Sequence, residues 1–150
     1  MGLMMEQDSI FLAQCDTTAG LLSKNPQILN LRKSRLKSQA LLIESYNLEH
    51  LKTLTRSPNK HKNTIRKAKN STFIYPNGKA VRVVKDELHS RFLRDCKTLY
   101  STSANLTGKS FNKQWAYEVC DVIVCDRRGL SESSPSKMYK INHSKIQRKR

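Results

Sequence analysis

Leu99-Tyr100-Ser101-Thr102-Ser103-Ala104-Asn105-Leu106-Thr107-Gly108 is the stretch on which the reading of this chain turns. Leu99–Thr102 reads as a strand, and it runs directly into the small polar tripeptide Ser103-Ala104-Asn105, closed by Gly108. A strand that ends in Ser and Asn before a Gly turn presents a hydroxyl, a carboxamide and free backbone N–H groups at one sheet edge, which suits an anionic ligand. Taken alone the segment is also an ordinary loop, because turns use Ser, Asn and Gly. Two other pieces bear on it: Asp16-Thr17-Thr18-Ala19-Gly20-Leu21, and a short helical stretch that ends in Lys33-Ser34-Arg35.

Working outward, strand and helix patterns alternate. Ser9–Gln14 reads as an apolar strand and Asp16–Gly20 as the turn after it. Asn25-Pro26 starts a helix, with an Asn cap and Pro at the first helical position, that runs to about Arg32. Lys33 and Arg35 then fall at its C-terminal end, where the helix dipole favours cations; if the chain is extended after Lys33, the two share a direction and form an anion clamp. Leu41–Ile43 is a buried strand, Asn47–Thr55 a short helix, Arg56–Lys62 a loop and Asn63–Lys69 a helix. Ser71–Tyr75 and Lys79–Val84 flank Pro76-Asn77-Gly78 as a hairpin, since Asn-Gly supplies the positive φ of a tight turn. On its second strand Arg82 points away from the face shared by Val81 and Val83. Glu87–Cys96 and Lys113–Val119 are helical, the latter with Trp115 and Val119 in one core stripe. Val122–Cys125 is a strand, Arg127–Pro135 a loop, and Met138–Ile141 a final edge strand with Ser136 at its start. This alternation argues for a layered α/β architecture.

A chain of 150 residues fits one domain with a real core. Its 28 Lys and Arg against 12 Asp and Glu leave a formal charge of +16, which favours polyanionic partners such as RNA or nucleotides. The alternative is a solvated face. The charges are partly clustered, at Lys60–Lys69, Arg91–Lys97 and Lys145–Arg150, as backbone binding requires. Cys15, Cys96, Cys120 and Cys125 form no C-x-x-C pair, so no zinc site is expected. Met1–Asp8 carries no leader pattern, Glu6 occupies the position where myristoylation after Met1-Gly2 wants Ser or Thr, and no apolar stretch approaches ~20 residues. Reduced thiols, a cytoplasmic location and no membrane partner are expected, and Asn105-Leu106-Thr107 is a glycosylation sequon in form only. His50, His61, His89 and His143 sit among charged neighbours with no Ser or Cys placed by spacing beside them, and read as surface histidines. No Walker loop and no G-x-G-x-x-G occurs, and no residue reads as a covalent catalyst.

Asp16-Thr17 with Gly20-Leu21, Lys33 with Arg35, Val81-Arg82-Val83, Ser103-Ala104-Asn105 with Gly108, and Ser136 form an ordered set over roughly residues 9–141. In order and approximate spacing this set resembles the YrdC/YciO/TsaC family, the threonylcarbamoyl-AMP synthases and their relatives. The chain departs from the family pattern at several points. Cys15 stands where the family has the first Thr of Thr-Asp-Thr, Ala19 replaces a Tyr, Val84 a Pro and Lys137 a Thr, and the Pro-Gly-Pro-x-Thr segment is reduced to Lys69-Asn70-Ser71-Thr72.

The resemblance implies a YrdC-like twisted mixed β-sheet with flanking helices and a concave basic surface, as one domain over residues 1–141 with a basic tail at 142–150. It implies L-threonylcarbamoyladenylate synthesis, in which threonine, bicarbonate and ATP give threonylcarbamoyl-AMP and pyrophosphate for tRNA threonylcarbamoyladenosine modification. Such adenylation needs no covalent catalyst, because alignment and charge neutralisation by Lys, Arg, Ser and Asn donors with Mg²⁺ lower the barrier. By the same resemblance Thr17 helps hold threonine, Lys33 and Arg35 meet phosphate or carboxylate groups, Ser103 and Asn105 bind the acyl-adenylate, Ser136 contacts phosphate and Arg82 faces an anion. The implied ligands are ATP with Mg²⁺ as a substrate complex, L-threonine and bicarbonate. The implied partners are tRNA or other RNA, double-stranded RNA included, and other tRNA-modification proteins. No tightly bound cofactor and no resident metal is expected. The rival reading is a catalytically degenerate YrdC-like protein that binds RNA or nucleotide; a basic ribosome-associated structural protein would explain the charge but not the ordered motifs.

Overall fold

The computed structural model describes residues 7–150; the expectations placed on Met1-Gly2 and Glu6 lie outside them. Phe11–Gln14 forms β1 as the apolar run dictates, but the turn after it is shorter than expected. Ala19–Ser23 is a strand in its own right, β2, paired antiparallel with β1 through Leu12↔Leu21 and Ala13↔Gly20. Gly20 reads locally as a turn residue. Here its missing side chain serves close packing, since a Cβ at this position would lie 2.7 Å from Cys15 Sγ.

The helices begin where their caps stand. Asn25 accepts from the Gln27 N–H ahead of α1 (Pro26–Arg32), and Asn47 caps α2 (Leu48–Leu54) through the His50 N–H. Asp86 caps α4 (Glu87–Cys96) and Asn112 caps α5 (Lys113–Val119) in the same way. Between them α3 occupies Lys62–Lys67, after a single 3-10 turn at Asn59–His61. The expected hairpin is present: β4 (Ser71–Ile74) and β5 (Ala80–Val83) pair antiparallel, with Gly78 at φ +86° in the turn.

With β3 (Leu42–Ser45), β6 (Leu99–Ser103), β7 (Val122–Ile123), β8 (Lys137–Ile141) and β9 (Ile146–Arg148), the described residues form one nine-stranded mixed sheet of order β7-β1-β2-β6-β3-β5-β4-β8-β9. Two expectations at its edges are corrected. Met138–Ile141 is not the final edge strand, because β9 pairs antiparallel along β8, and residues 146–148 of the supposed basic tail are therefore part of the sheet. The link is a tight turn in which Asn142 Oδ1 accepts from the N–H groups of Ser144 and Lys145. Val122–Cys125 contributes only Val122 and Ile123, which pair with β1 at the opposite edge and remain exposed.

Alternation along β1 and β2 fixes the layers. Leu12 and Leu21 pack with Leu29 of α1 and Ala116 of α5 on one face, while Phe11, Ala13 and Leu22 pack with Leu93 and Cys96 of α4 on the other. Farther along the sheet Ile43, Phe73, Val81 and Ile141 meet Leu51 of α2 and Ile65 of α3. With both faces covered, β1 and β2 are buried throughout, and side chains at the strand ends are held to narrow positions.

Candidate anion-binding cleft and the charged network beneath it

Strand register aligns a row of polar side chains. Glu44 of β3 lies opposite Arg82 of β5, and Arg82 opposite Thr72 of β4, so all three project to one face. Ser101 of β6 shares that face and donates to Glu44 Oε1 at 3.1 Å. Arg82 is 4% exposed and its guanidinium is held from several sides. Nη2 donates to Glu44 Oε1, Nη1 to Ser136 Oγ at 3.3 Å, and Nε lies 3.1 Å from Asp16 Oδ1 as an ion pair off the hydrogen-bonding angle. The anion Arg82 faces is thus largely the protein's own.

His89 completes the row from the first turn of α4, with Nε2 2.5 Å from Glu44 Oε2. Burial by itself would raise the Glu44 carboxyl. The His89 and Arg82 charges outweigh it and hold Glu44 at about 2. Burial likewise opposes the His89 imidazolium, and Cys15 and Glu44 beside it reverse the balance and raise its pKa. The surface assignment of the histidines is corrected here: His50, His61 and His89 are 7%, 5% and 2% exposed, and only His143 is on the surface. A histidine among charged sequence neighbours is still buried when its helix turns it inward.

Lys33 and Arg35 converge by a different route from the extended one expected. Ser34 adopts φ +56°, which reverses the chain at the end of α1, so that Lys33 Nζ and Arg35 Nη1 reach the same Thr102 Oγ1 at 3.1 and 3.2 Å. Lys33 also donates to Ser103 O at 2.8 Å, Ser103 Oγ at 3.3 Å and Asn105 Oδ1 at 3.4 Å. Among the described residues neither cation has an acidic partner. Lys33 is 1% exposed, and burial first, then the Arg35 charge, brings its ammonium down to about 7. Buried Asn30 secures the loop after Arg35 by donating to the carbonyls of Lys37 and Gln39.

Both groups border one cleft of about 720 Å³. Of the residues singled out in the sequence, Thr17, Arg35, Arg82, Ser103 and Ser136 line it; Lys33 and Asn105 sit behind its wall, in contact with Ser103. Ser136 is buried, bonded to Thr72 Oγ1 at 2.8 Å. Arg150 was not foreseen as a site residue, since it reads as one more tail cation. Strand β9 returns it to the cleft, where Nε and Nη2 donate to Ser136 O and Oγ at 2.9 and 3.0 Å. Among the described residues the cleft wall carries Arg35, Lys37, Lys79, Arg82 and Arg150, and no Asp or Glu side chain. A concave wall of cations and hydroxyls is suited to phosphate or carboxylate groups.

No protein-family model and no curated protein sequence matches the chain. Solved structures do match it. The chain superposes on P. abyssi Sua5 complexed with L-threonine at TM-score 0.75 and 16% identity, covering 93% of this chain and 49% of that one. E. coli YciO matches at TM-score 0.76 and 14% identity, over 95% of this chain and 82% of that chain. MTH1692 from Methanobacterium thermoautotrophicum matches at 0.71 and 18%, over 97% and 81%. The chain spans about half the length of the Sua5 structures, at 51% and 49% of them. The fold is therefore YrdC-like, a large mixed sheet with helices on both faces. Among the described residues no helix is long and apolar enough to cross a membrane.

Proposed function

We propose that this chain is a threonylcarbamoyl-AMP synthase-like protein that takes ATP with Mg²⁺, L-threonine and bicarbonate in the cleft beside Ser103 and Arg35. The observation that carries this reading is the cleft wall on which, beside the internally paired Arg82, the four side chains Arg35, Lys37, Lys79 and Arg150 have no acidic partner among the described residues, which asks for a multiply charged anion. In this reading Arg35, with Lys33 behind it, and Arg150 with Ser136 balance the phosphates, Ser103 and Asn105 hold the acyl-adenylate, and Thr17 contacts threonine. Attack of the carbamate on the α-phosphate is then promoted by alignment and charge neutralisation. The product serves tRNA modification, with tRNA and its modification proteins as partners.

Calorimetry with ATP, Mg²⁺, threonine and bicarbonate, together with an assay of pyrophosphate release, tests this. Threonine- and bicarbonate-dependent release is expected. Nucleotide binding without release moves the reading to a degenerate nucleotide- or RNA-binding protein, and absence of both overturns it.

The degenerate reading has its own support in the exposed basic side chains Lys60, Lys62, Arg66, Lys67 and Lys69 around α3. These suit the backbone of RNA, double-stranded RNA included, and call for no turnover.

A further inference from the structure

Beneath the cleft, Cys15 Sγ, a Glu44 carboxylate oxygen and a His89 ring nitrogen all lie within 4.8 Å of one another. Cys15 directly follows β1, Glu44 lies in β3 and His89 in the first turn of α4, so two of the three stand on regular elements and the third adjoins one. We propose that Cys15, Glu44 and His89 form a binding site for a single divalent ion of the zinc class, with a remaining coordination position toward the cleft.

The donor set selects the ion. One thiolate, one imidazole and one carboxylate are ligands that zinc accepts together, and three protein ligands with an open fourth position is the arrangement of zinc sites that receive a further ligand. Calcium and magnesium demand oxygen ligands and are excluded by the thiol.

The surroundings support it. Glu44 Oε2 and His89 Nε2 face each other across a shared proton at 2.5 Å, and an ion bound at about 2.0–2.2 Å from each replaces that proton by moving the ring and the carboxylate apart. Ser101 and Arg82 fix the other carboxylate oxygen from behind, as outer partners orient metal ligands. Arg82 is the charge that opposes a cation here, and Asp16, whose carboxylate oxygens accept no hydrogen bond, lies 3.1 Å from it and offsets it. Entry of a doubly charged ion in exchange for the thiol proton and the imidazole proton leaves the formal charge of the cluster unchanged. Cys15 lines the cleft while Glu44 and His89 lie deeper, so the thiol is on the path by which an ion arrives. Gly20 makes room for Sγ itself, since a Cβ there would lie 2.7 Å from it. The ligand set is particular to this chain, because Cys15 stands where the resembling family carries a Thr.

Cobalt(II) is the probe, in the full chain carrying Cys120→Ser and Cys125→Ser to remove the two thiols outside the core. One equivalent of cobalt is expected to give a thiolate-to-metal charge-transfer band with intense visible bands of four-coordinate geometry, both abolished by one equivalent of zinc. In Cys15→Ser the charge-transfer band is lost, and in His89→Gln cobalt affinity falls at least tenfold. Zinc should also raise the melting temperature of the parent, in proportion to the logarithm of its concentration above the Kd; this readout needs no core variant. The proposal is overturned if the folded parent shows no charge-transfer band and no zinc-dependent melting shift, or if the band persists in Cys15→Ser. None of these readouts involves ATP or threonine, so they stand or fall independently of the synthase reading.

Discussion

Lys33 and Arg82 are both long cations almost wholly removed from water, at 1% and 4% exposure, and the protein treats them in opposite ways. Arg82 meets Glu44 and Asp16, and Glu44 in turn meets His89 and Ser101, so its charge is answered inside the fold. Among the described residues Lys33 meets only neutral oxygens, from Thr102, Ser103 and Asn105, with a second cation, Arg35, at the same hydroxyl. A buried charge is tolerated only when it is paired or able to neutralise itself. Arg82 takes the first solution. Lys33 takes the second, its ammonium lowered to about 7 by burial and by Arg35. The contrast separates a cation whose charge is answered inside the fold from one that meets no carboxylate among the described residues, although sequence motifs present them alike.

Breaking the paired centre should give the largest effect. Arg82→Met leaves Glu44 and Asp16 as buried carboxylates short of their cation, and is expected to cost about 3–5 kcal/mol in urea unfolding, the range for removing one partner of a buried pair. A loss below about 1 kcal/mol would mean that the network tolerates an open charge, and the contrast with Lys33 would fail.

The unpaired centre should respond in the other sense. Lys33→Met removes a buried charge without leaving a carboxylate unpaired, so unfolding stability at pH 6 is expected to be unchanged or higher. Affinity for pyrophosphate or ATP should drop by about 1.5–3 kcal/mol, the worth of a charge-assisted contact. Arg35→Ala should show the same loss of affinity in calorimetry. Unfolding caused by either substitution would make that residue structural.

The pH dependence sharpens the same point. Lys33 in the unfolded chain keeps its ordinary pKa of 10.5, against about 7 when folded. Between those values the unfolded chain binds a proton that the folded chain does not, so this group makes stability rise with pH from about 7 to 10.5. Anion affinity moves the opposite way, falling as pH rises through about 7, because only the ammonium attracts the ligand. In Lys33→Met both slopes should flatten; unaltered slopes would place the titration elsewhere.

The smallest effect belongs to the exposed charges around α3. Gln replacements at Lys60, Lys62, Lys67 and Lys69 should leave unfolding nearly unchanged and reduce the log–log salt slope of RNA binding by roughly 0.7–0.9 per lost phosphate contact. Deletion of residues 145–150 is the poorer test, since it also removes β9 and the Ser136–Arg150 contact. An intact chain with no RNA affinity at low salt would reduce this patch to a solvated face.

The amino-acid sequence by itself determined the elements whose signals lie within a few residues. Asn25-Pro26 set the start of α1, Asp86 and the apolar positions after it set α4 over Glu87–Cys96, and Pro76-Asn77-Gly78 set the hairpin, because caps and positive φ angles act locally. The ordered short motifs also carried the YrdC-like fold. Tertiary structure decided what depends on register and strand order. It made Ala19–Ser23 a strand, returned Arg150 to Ser136, turned Lys33 and Arg35 onto one hydroxyl through Ser34, and brought Cys15 to Glu44 and His89. Those contacts join side chains 14 residues apart for Ser136 and Arg150, 45 for Glu44 and His89 and 69 for Lys33 and Thr102, and a pattern read along the chain carries no information on which strands become neighbours. Only the assembled sheet, in which a shift of one residue sends every side chain to the other face, places the charges that border the cleft.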